Sequence, residues 1–201
     1  MAITTYAELQ AAVAAWLARD DLAANIPDFI MLFEACANRR LRVRQMETTT
    51  LLTPSSGAAT LPGDYLMWRR ATWTGQPRVE LEFVHPSILQ AYYPTVPAGV
   101  PKLFTIEGAV LKLRPTDATP IEFDYLQKIP ALSAGNPANW LLAAHPDLYL
   151  FGALVEAQAF NVDGEKLAGW KARRDELFAE IIALATRTAA PSAVRVMGIT
   201  P

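Results

Sequence analysis

Apolar residues recur at helical spacing in two stretches near the start of the chain. The first opens with Thr5-Tyr6-Ala7-Glu8, the pattern of a capping box, in which the threonine hydroxyl and the glutamate carboxylate each accept a backbone N–H. The second opens with Asn25 as a candidate cap and has Pro27 in its first turn, where the missing N–H costs nothing. The spacing therefore predicts two helices. Their apolar stripes are Leu9, Val13, Trp16 and Leu17, then Ile26, Phe29, Ile30, Phe33, Ala37 and Leu41.

The middle of the chain changes to alternating, β-branched sequence. One short helix is predicted at 86–93, with Pro86 at its first position. Glu107-Gly108 predicts a tight hairpin turn. Strands are predicted at 48–53, 65–73, 78–84, 102–106, 109–113 and 121–127.

Helical spacing returns after His145-Pro146-Asp147. The stretch from Leu148 to Phe160 is apolar on nearly every side, which is typical of a helix buried all round. A last amphipathic helix follows, and from Thr188 the chain ends in small and apolar residues without a helix cap. The stripe of that last helix is Leu167, Trp170, Leu177, Phe178, Ile181 and Leu184.

These elements predict an α+β fold. Helices at both ends must meet to bury their stripes, and helices joined by short links favour antiparallel packing. We therefore expect residues 1–46 and 141–188 to form an antiparallel helical bundle. Residues 47–140 are expected to form a β-rich insertion sub-domain, and 189–201 an extended C-terminal tail.

Composition narrows the class of protein. Of 201 residues, 52% are hydrophobic and 19% charged, which excludes intrinsic disorder. Lys and Arg total 18 against 20 Asp and Glu, and the net charge of −2 counts against a chain devoted to nucleic-acid binding. A single cysteine excludes an internal disulfide framework. No stretch has the features of a signal peptide or a membrane span, so a cytoplasmic protein without membrane contact is expected.

Groups suited to catalysis are scarce. Cys36 with His85 or His145 is a thiol–imidazole combination, but Cys36 lies in the stripe of the second helix, where a buried structural thiol is expected. His145 stands at a helix start, which favours a capping or turn role. Asp147 and Glu156 are too far apart along one helix to share a proton or a metal ion. We therefore predict no enzymatic activity, no cofactor and no metal site.

The arginines leave two interpretations open. A cluster at the end of the second helix, together with Arg69-Arg70, is compatible with a DNA-facing patch, but complementing the helix dipole and forming surface ion pairs is the favoured interpretation. Arg173-Arg174, flanked by Asp175 and Glu176, predicts a solvated helix face. The cluster consists of Arg39, Arg40, Arg42 and Arg44.

The tail also leaves two interpretations open. It carries apolar side chains with no evident partner in the predicted bundle, which indicates either a disordered end or a peptide that docks on a neighbouring protein. The candidate docking residues are Val194, Arg195, Val196, Met197 and Ile199.

A series of short blocks, in this order, extends over almost the whole chain and resembles the head-to-tail adaptor (connector) proteins of tailed bacteriophages. The blocks are Thr4-Thr5-Tyr6-Ala7-Glu8-Leu9, Trp16-Leu17-Ala18-Arg19-Asp20-Asp21-Leu22, Ile26-Pro27-Asp28-Phe29-Ile30 with Glu34, Asn38 and Arg39, Thr60-Leu61-Pro62-Gly63-Asp64-Tyr65-Leu66, Lys128-Ile129-Pro130-Ala131-Leu132, Asn136-Pro137-Ala138-Asn139-Trp140-Leu141-Leu142, His145-Pro146-Asp147-Leu148-Tyr149-Leu150 and Gly152-Ala153-Leu154.

The resemblance implies a structural virion protein of the head–tail neck, assembled in the host cytoplasm. Such adaptors form a twelve-fold ring under the portal, extend the DNA channel and provide the platform for tail, nozzle or stopper proteins. The implied partners are the portal protein, the tail-side proteins, further copies of the chain and double-stranded DNA that passes without sequence-specific binding. In such adaptors the C-terminal segment commonly docks on the portal.

Two alternatives from other classes remain. One is a DNA-binding packaging or regulatory protein that uses the run from Arg39 to Arg44, which salt-dependent affinity for duplex DNA would reveal. The other is a small hydrolase that uses Cys36 or Asp147. Unchanged assembly in Cys36→Ala and Asp147→Ala, with no detectable turnover before or after the substitutions, would exclude it.

Overall fold

The computed structural model describes residues 3–161 and 164–189, which divide into two compact units. One unit takes its described residues from both ends of the sequence, Met1–Gln45 and Ile129–Pro201, and we call it the helical unit. The other, Met46–Lys128, contains the described strands, and we call it the β unit. Helices and strands occur together, which confirms the predicted α+β class.

The helical unit begins with α1, Tyr6–Leu17, a 3₁₀ helix, Asp20–Asn25, and α2, Ile26–Arg40. The predicted capping box is confirmed: the Glu8 amide donates to Thr5 Oγ1 over 3.3 Å, and the Thr5 amide donates to Glu8 Oε2 over 3.0 Å. Asn25 does precede α2, but its side chain makes no capping hydrogen bond within the described structure. The reason is that the 3₁₀ helix runs directly into α2, so that Asn25 itself has helical backbone angles.

The strands of the β unit form two four-stranded sheets in its described part. Its elements, with one short helix after the fifth strand, are β1 Glu47–Leu52, β2 Ala58–Thr60, β3 Tyr65–Trp73, β4 Val79–Glu80, β5 Glu82–Phe83, α3 Pro86–Tyr92, β6 Leu103–Glu107, β7 Val110–Arg114 and β8 Ile121–Gln127. One sheet has the order β1-β8-β3-β4 and the other β2-β7-β6-β5. Strand β5 pairs with β6 in parallel, and the other pairs are antiparallel.

The predicted strands agree with these elements in most places. Strands β3 and β8 match their predictions to the residue, and Gly108 turns between β6 and β7 with a φ of +60°, in the left-handed region that favours glycine. The prediction of one strand at 78–84 is wrong, because β4 joins β3 in one sheet while β5 joins β6 in the other. Strand β2, three residues long, was not predicted.

The core of the β unit lies on the inward-facing residues of both sheets. Along β7, buried Leu111 and Leu113 alternate with half-buried Lys112. Along β8, buried Ile121 and Phe123 likewise alternate with a half-buried residue. The buried cluster is Leu52, Ala59, Leu61, Ala71, Trp73, Leu81, Phe104, Leu111, Leu113, Ile121, Phe123 and Tyr125.

The helical unit resumes with α4, Trp140–Ala144, α5, Pro146–Asn161, and α6, Gly164–Ala189. Helix α5 packs against α1, α2, α4 and α6, so it is the central helix of this unit. The prediction that this stretch is buried on nearly every side is confirmed. Its fully buried residues are Leu148, Tyr149, Ala153, Leu154 and Ala157. No helix in the described ranges is both long and apolar enough to cross a membrane.

Residues 129–140 belong to the helical unit, whereas the sequence analysis assigned them to the insertion. Two side chains of α2 hold this segment by its backbone: Asn38 Oδ1 accepts from the Ile129 amide over 2.8 Å, and Glu34 Oε1 accepts from the Leu132 amide over 2.9 Å. Helix α4, which was not predicted, follows directly.

Candidate interaction surfaces

Arg40, one of the four clustered arginines, is held within the helical unit. Its Nη1 lies 2.5 Å from Oδ1 of Asp175 on α6, and its guanidinium lies 4.2 Å from the centre of the Phe178 ring. Burial opposes the ionisation of Asp175, but the hydrogen bond from Arg40 and the charge of Arg174 keep the pKa of its carboxyl below the usual value. This arginine therefore ties α2 to α6.

The other three arginines differ in their surroundings. Arg42 donates from Nη1 to the carbonyl oxygens of Asn38, at 2.7 Å, and Leu41, where cations complement the helix dipole. Arg39 and Arg44 are exposed and form no ion pair with any described residue. Arg40 and Arg42 thus interact with groups of their own unit at the end of α2, whereas Arg39 and Arg44 present their charge to solvent.

The pair Arg69-Arg70 lies on β3 in an exposed network of opposite charges. Arg70 Nη2 is 2.8 Å from Asp124 Oδ2, and Arg69 Nε is 3.9 Å from Glu47 Oε1. Asp124 also accepts from the Thr49 hydroxyl over 2.6 Å. Cross-strand partners therefore neutralise this part of the predicted basic patch.

The prediction that Arg173 and Arg174 lie on a solvated face is confirmed for Arg173 and wrong for Arg174. Arg173 is exposed and pairs with Glu176 over 2.6 Å. Arg174 is buried, with Nη2 3.1 Å from Asp175 Oδ1 and Nη1 3.9 Å from Glu156 Oε1. A long side chain on α6 can reach inward past the helix surface and keep its charge paired, which adjacent charges in the sequence did not indicate.

A buried polar network, which the sequence analysis did not predict, joins α2, α5 and the segment before α4. Glu34 Oε1 accepts from the Tyr149 hydroxyl over 3.0 Å and from the Leu132 amide. Asn139 Nδ2 donates to the Tyr149 oxygen and to the Pro130 carbonyl, each over 2.7 Å, while its Oδ1 caps α4.

The network contains a carboxyl group away from water. Burial raises the pKa of Glu34, against the opposing effect of its hydrogen bonds with Leu132 and Tyr149. Burial and the nearby Glu34 carboxyl raise the pKa of Tyr149. A glutamate inside the apolar stripe of α2 was the available sign of such a network in the sequence, and Glu34, Asn38 and Asn139 all stand in the resemblance blocks.

The helical unit also has an open groove of about 550 Å³. It lies where the chain leaves α2, at the start of α4 and along the last part of α6. Leu184 on its border is 61% exposed. Its lining includes Val43, Arg44, Trp140, His145, Ile181 and Leu184.

Further apolar side chains lie at the surface of each unit. In the β unit most of them lie on α3, where Tyr92 is 72% exposed, and in the loop after α3, and two lie on β1 and β5. In the helical unit they lie on α1, α2 and α6. The residues are Leu51, Phe83, Ile88, Tyr92, Val96 and Val100, then Trp16, Met31, Leu32 and Ile182.

The residues of the hydrolase alternative take ordinary positions. Cys36 is half-buried rather than fully buried as expected, because it lies at the margin of the stripe of α2. His145 lies between α4 and α5, and Asp147 Oδ1 accepts from the Leu148 amide at the start of α5. Within the described ranges, no group of three His, Cys, Asp or Glu side chains is arranged to hold a metal ion. The five tail residues, Val194, Arg195, Val196, Met197 and Ile199, lie outside the described residues.

The family model described as SU10 adaptor protein matches residues 4–197. No curated protein matches the chain.

Proposed function

The chain belongs to the SU10 adaptor protein family, and from this membership we propose that it is a structural head-to-tail adaptor of a tailed bacteriophage. The family match confirms the resemblance found in the sequence and is the observation that carries the proposal. Because the match extends over residues 4–197, it includes the helical unit and the β unit alike. The protein is then a virion component of the head–tail neck, without enzymatic activity.

The adaptor acts as a ring, twelve-fold under the portal, that extends the DNA channel and carries tail, nozzle or stopper proteins. A ring needs two unlike faces on each subunit that fit one another. Exposed apolar side chains on α1 and α2, Trp16, Met31 and Leu32, supply surface of the kind that interface cores use. We assign the subunit contacts to the helices of the helical unit, and the tail-side contacts to loops of the β unit.

The C-terminal residues dock on the portal. Val194, Arg195, Val196, Met197 and Ile199 supply a short, mainly apolar peptide that begins five residues after Ala189, the last residue of α6. A peptide of this kind binds by adding a strand to a sheet or by filling a groove.

DNA passes through the channel without sequence-specific binding. Arg40, Arg42, Arg69 and Arg70 are engaged within their own units, and the net charge is −2, so the surface is not that of a strong DNA binder. For the alternative, a DNA-binding packaging or regulatory protein, Arg39 and Arg44 are the members of the cluster that remain available to contact DNA.

The test is the native mass of the purified protein with its cognate portal ring. We expect a defined number of copies to add to the portal and Val196→Asp to abolish the addition, while Ser192→Asp, which adds the same charge to the same segment, leaves it intact. If the Val196→Asp variant still adds to the portal, the proposed adaptor function stands and the docking role of the tail is rejected. No association, together with salt-dependent binding of duplex DNA that Arg39→Ala and Arg44→Ala weaken, would favour the alternative.

A further inference from the structure

The groove of the helical unit presents apolar surface with room for a peptide. Trp140, Ile181 and Val43 line it, and Leu184 on its border is 61% exposed. Its volume of about 550 Å³ lies within the range of about 300–1,000 Å³ that is usual for ligand pockets. Several side chains of an extended segment can therefore enter it.

The groove also lies close to the end of α6. Ala185 and Ile181, which line it, precede the last helical residue, Ala189, by four and eight positions. At 1.5 Å per residue these positions are about 6 and 12 Å from the helix end. Five extended residues, from Ala189 to Val194, reach up to about 17 Å. The residues after Val194 can therefore fold back to the groove.

The segment within reach is itself apolar. Val194 and Val196 share one face of an extended chain, and Met197 and Ile199 share the other. Pro191 favours a helix end just before the segment. Burial of these apolar side chains against an apolar surface of the same chain is favourable, because it removes both from water.

We infer that in the free subunit residues 193–199 dock in the groove of their own chain, against Leu184 and Trp140. The tether makes this docking effective even if the groove binds the segment weakly, because a short linker holds it at a local concentration near the millimolar range. The groove and the segment then cover each other until a partner takes the segment. This inference does not depend on the proposed portal docking, although both involve the same side chains.

Trypsin cleavage of the full-length protein at the Arg195–Val196 bond tests the inference. The reference is a synthetic peptide of residues 190–201, in which the bond is free. If the groove binds with an affinity of about 100 µM, a millimolar local concentration slows the cleavage about tenfold relative to the peptide. Mass spectrometry separates this cut from cleavage at other basic residues.

Two variants of α6 locate the docking site. Leu184→Asp places a charge on the border of the groove and should raise the cleavage rate to that of the peptide. Ile182→Asp is the matched control: it is also an exposed apolar residue of α6, at 39%, and is not among the described groove-lining residues. It should retain the slow rate. Ile199→Asp, made in both the protein and the reference peptide, keeps the test valid if Leu184→Asp does not fold.

Three outcomes would overturn the inference. Cleavage of the unaltered protein at the rate of the peptide would show that the segment is free. Equal effects of Leu184→Asp and Ile182→Asp would place the segment elsewhere. Slow cleavage that depends on protein concentration would place it in the groove of a second copy. Portal addition is measured separately, so its failure and the failure of this inference are distinguishable.

Discussion

Tyr149 on α5 donates a hydrogen bond to Glu34 on α2 over 3.0 Å, and both side chains are buried in the helical unit. These residues are 115 positions apart in the sequence. Asn139 donates to the same tyrosine oxygen and also caps α4. One connected set of polar groups therefore holds together the two ends of the chain within this unit.

Removal of the tyrosine hydroxyl should weaken this unit. Tyr149→Phe deprives Glu34 and Asn139 of a partner in a buried site, where an unmet hydrogen bond costs about 1–3 kcal/mol. We expect the free energy of unfolding in urea to fall by that amount. Tyr92→Phe, at a site that is 72% exposed, is the control and should be close to neutral. Equal stability of the two variants would contradict the importance of the network.

The stability of the protein should depend on pH through Glu34. Burial raises the pKa of Glu34 above its ordinary value of 4.5, so the folded protein retains this proton to higher pH than the unfolded chain. The resulting stabilisation is complete below the unfolded pKa and is lost as the pH rises through the folded pKa. Glu34→Gln removes this dependence.

Urea unfolding of the unaltered protein and Glu34→Gln at pH 7, 6 and 5 checks this. Relative to the variant, the unaltered protein should gain stability as the pH falls. Glu180→Gln, at an exposed position on α6, serves as the control. A difference between the protein and Glu34→Gln that does not change with pH would be contrary to the expectation.

Gly152 of α5 should not tolerate a side chain. A Cβ built there would lie 2.0 Å from Cδ2 of Phe33, a ring on α2 that is fully buried and closely surrounded. Gly152→Ala should therefore destabilise the protein by about 1–3 kcal/mol, as overpacking does. Gly169→Ala on α6 is the matched control, since apart from its chain neighbours and the nearby backbone of its own helix no described atom lies within 4 Å of its Cβ position. There we expect a gain of about 0.5–1 kcal/mol from helix propensity. Thermal unfolding of both variants decides the matter.

The two asparagines that precede helices should differ in importance. Asn139 caps α4 through its side chain and also contacts Tyr149, so Asn139→Ala should cost about 1–3 kcal/mol. Asn25 makes no side-chain capping bond to a described residue, and Asn25→Ala should change the stability by less than about 0.5 kcal/mol. Denaturant midpoints of the two variants provide the comparison, and similar losses would refute it.

Replacement of Arg40, which ties α2 to α6, should lower the stability of the protein, whereas replacement of its neighbour Arg39 should not. Arg40→Met loses the ion pair with Asp175 and the contact with the Phe178 ring, at a cost of about 0.5–1 kcal/mol, since the pair is over one third exposed. Arg39→Met should be neutral. If stability is measured in low and high salt, the loss in Arg40→Met should shrink at high salt, because screening weakens the pair.

The elements that the sequence predicted well depend on interactions within a few residues. The capping box at Thr5 closes over three residues, and the alternation along β3 and β8 has a period of two. Such patterns are complete within the segment that carries them. The boundaries of both strands could therefore be read to the residue.

The parts that escaped prediction depend on distant partners. Residues 78–84 look like one strand, and only the choice of β4 and β5 for different sheets divides them. Helix α4 has five residues, too few for a helical period to show, and its cap is held in place by Tyr149. Of the interaction surfaces, the arginine cluster was visible in the sequence, while the groove was not.

Burial of charge shows the same division. The sequence identifies Glu34 and Arg174 as ionisable residues on helices, and by composition alone both belong at the surface. The structure buries both, because hydrogen-bonding partners from elements far along the chain offset the loss of water around each. Local pattern therefore determined most of the helices and strands. Only the tertiary structure decided which polar groups enter the interior, since that choice depends on partners that the local sequence does not contain.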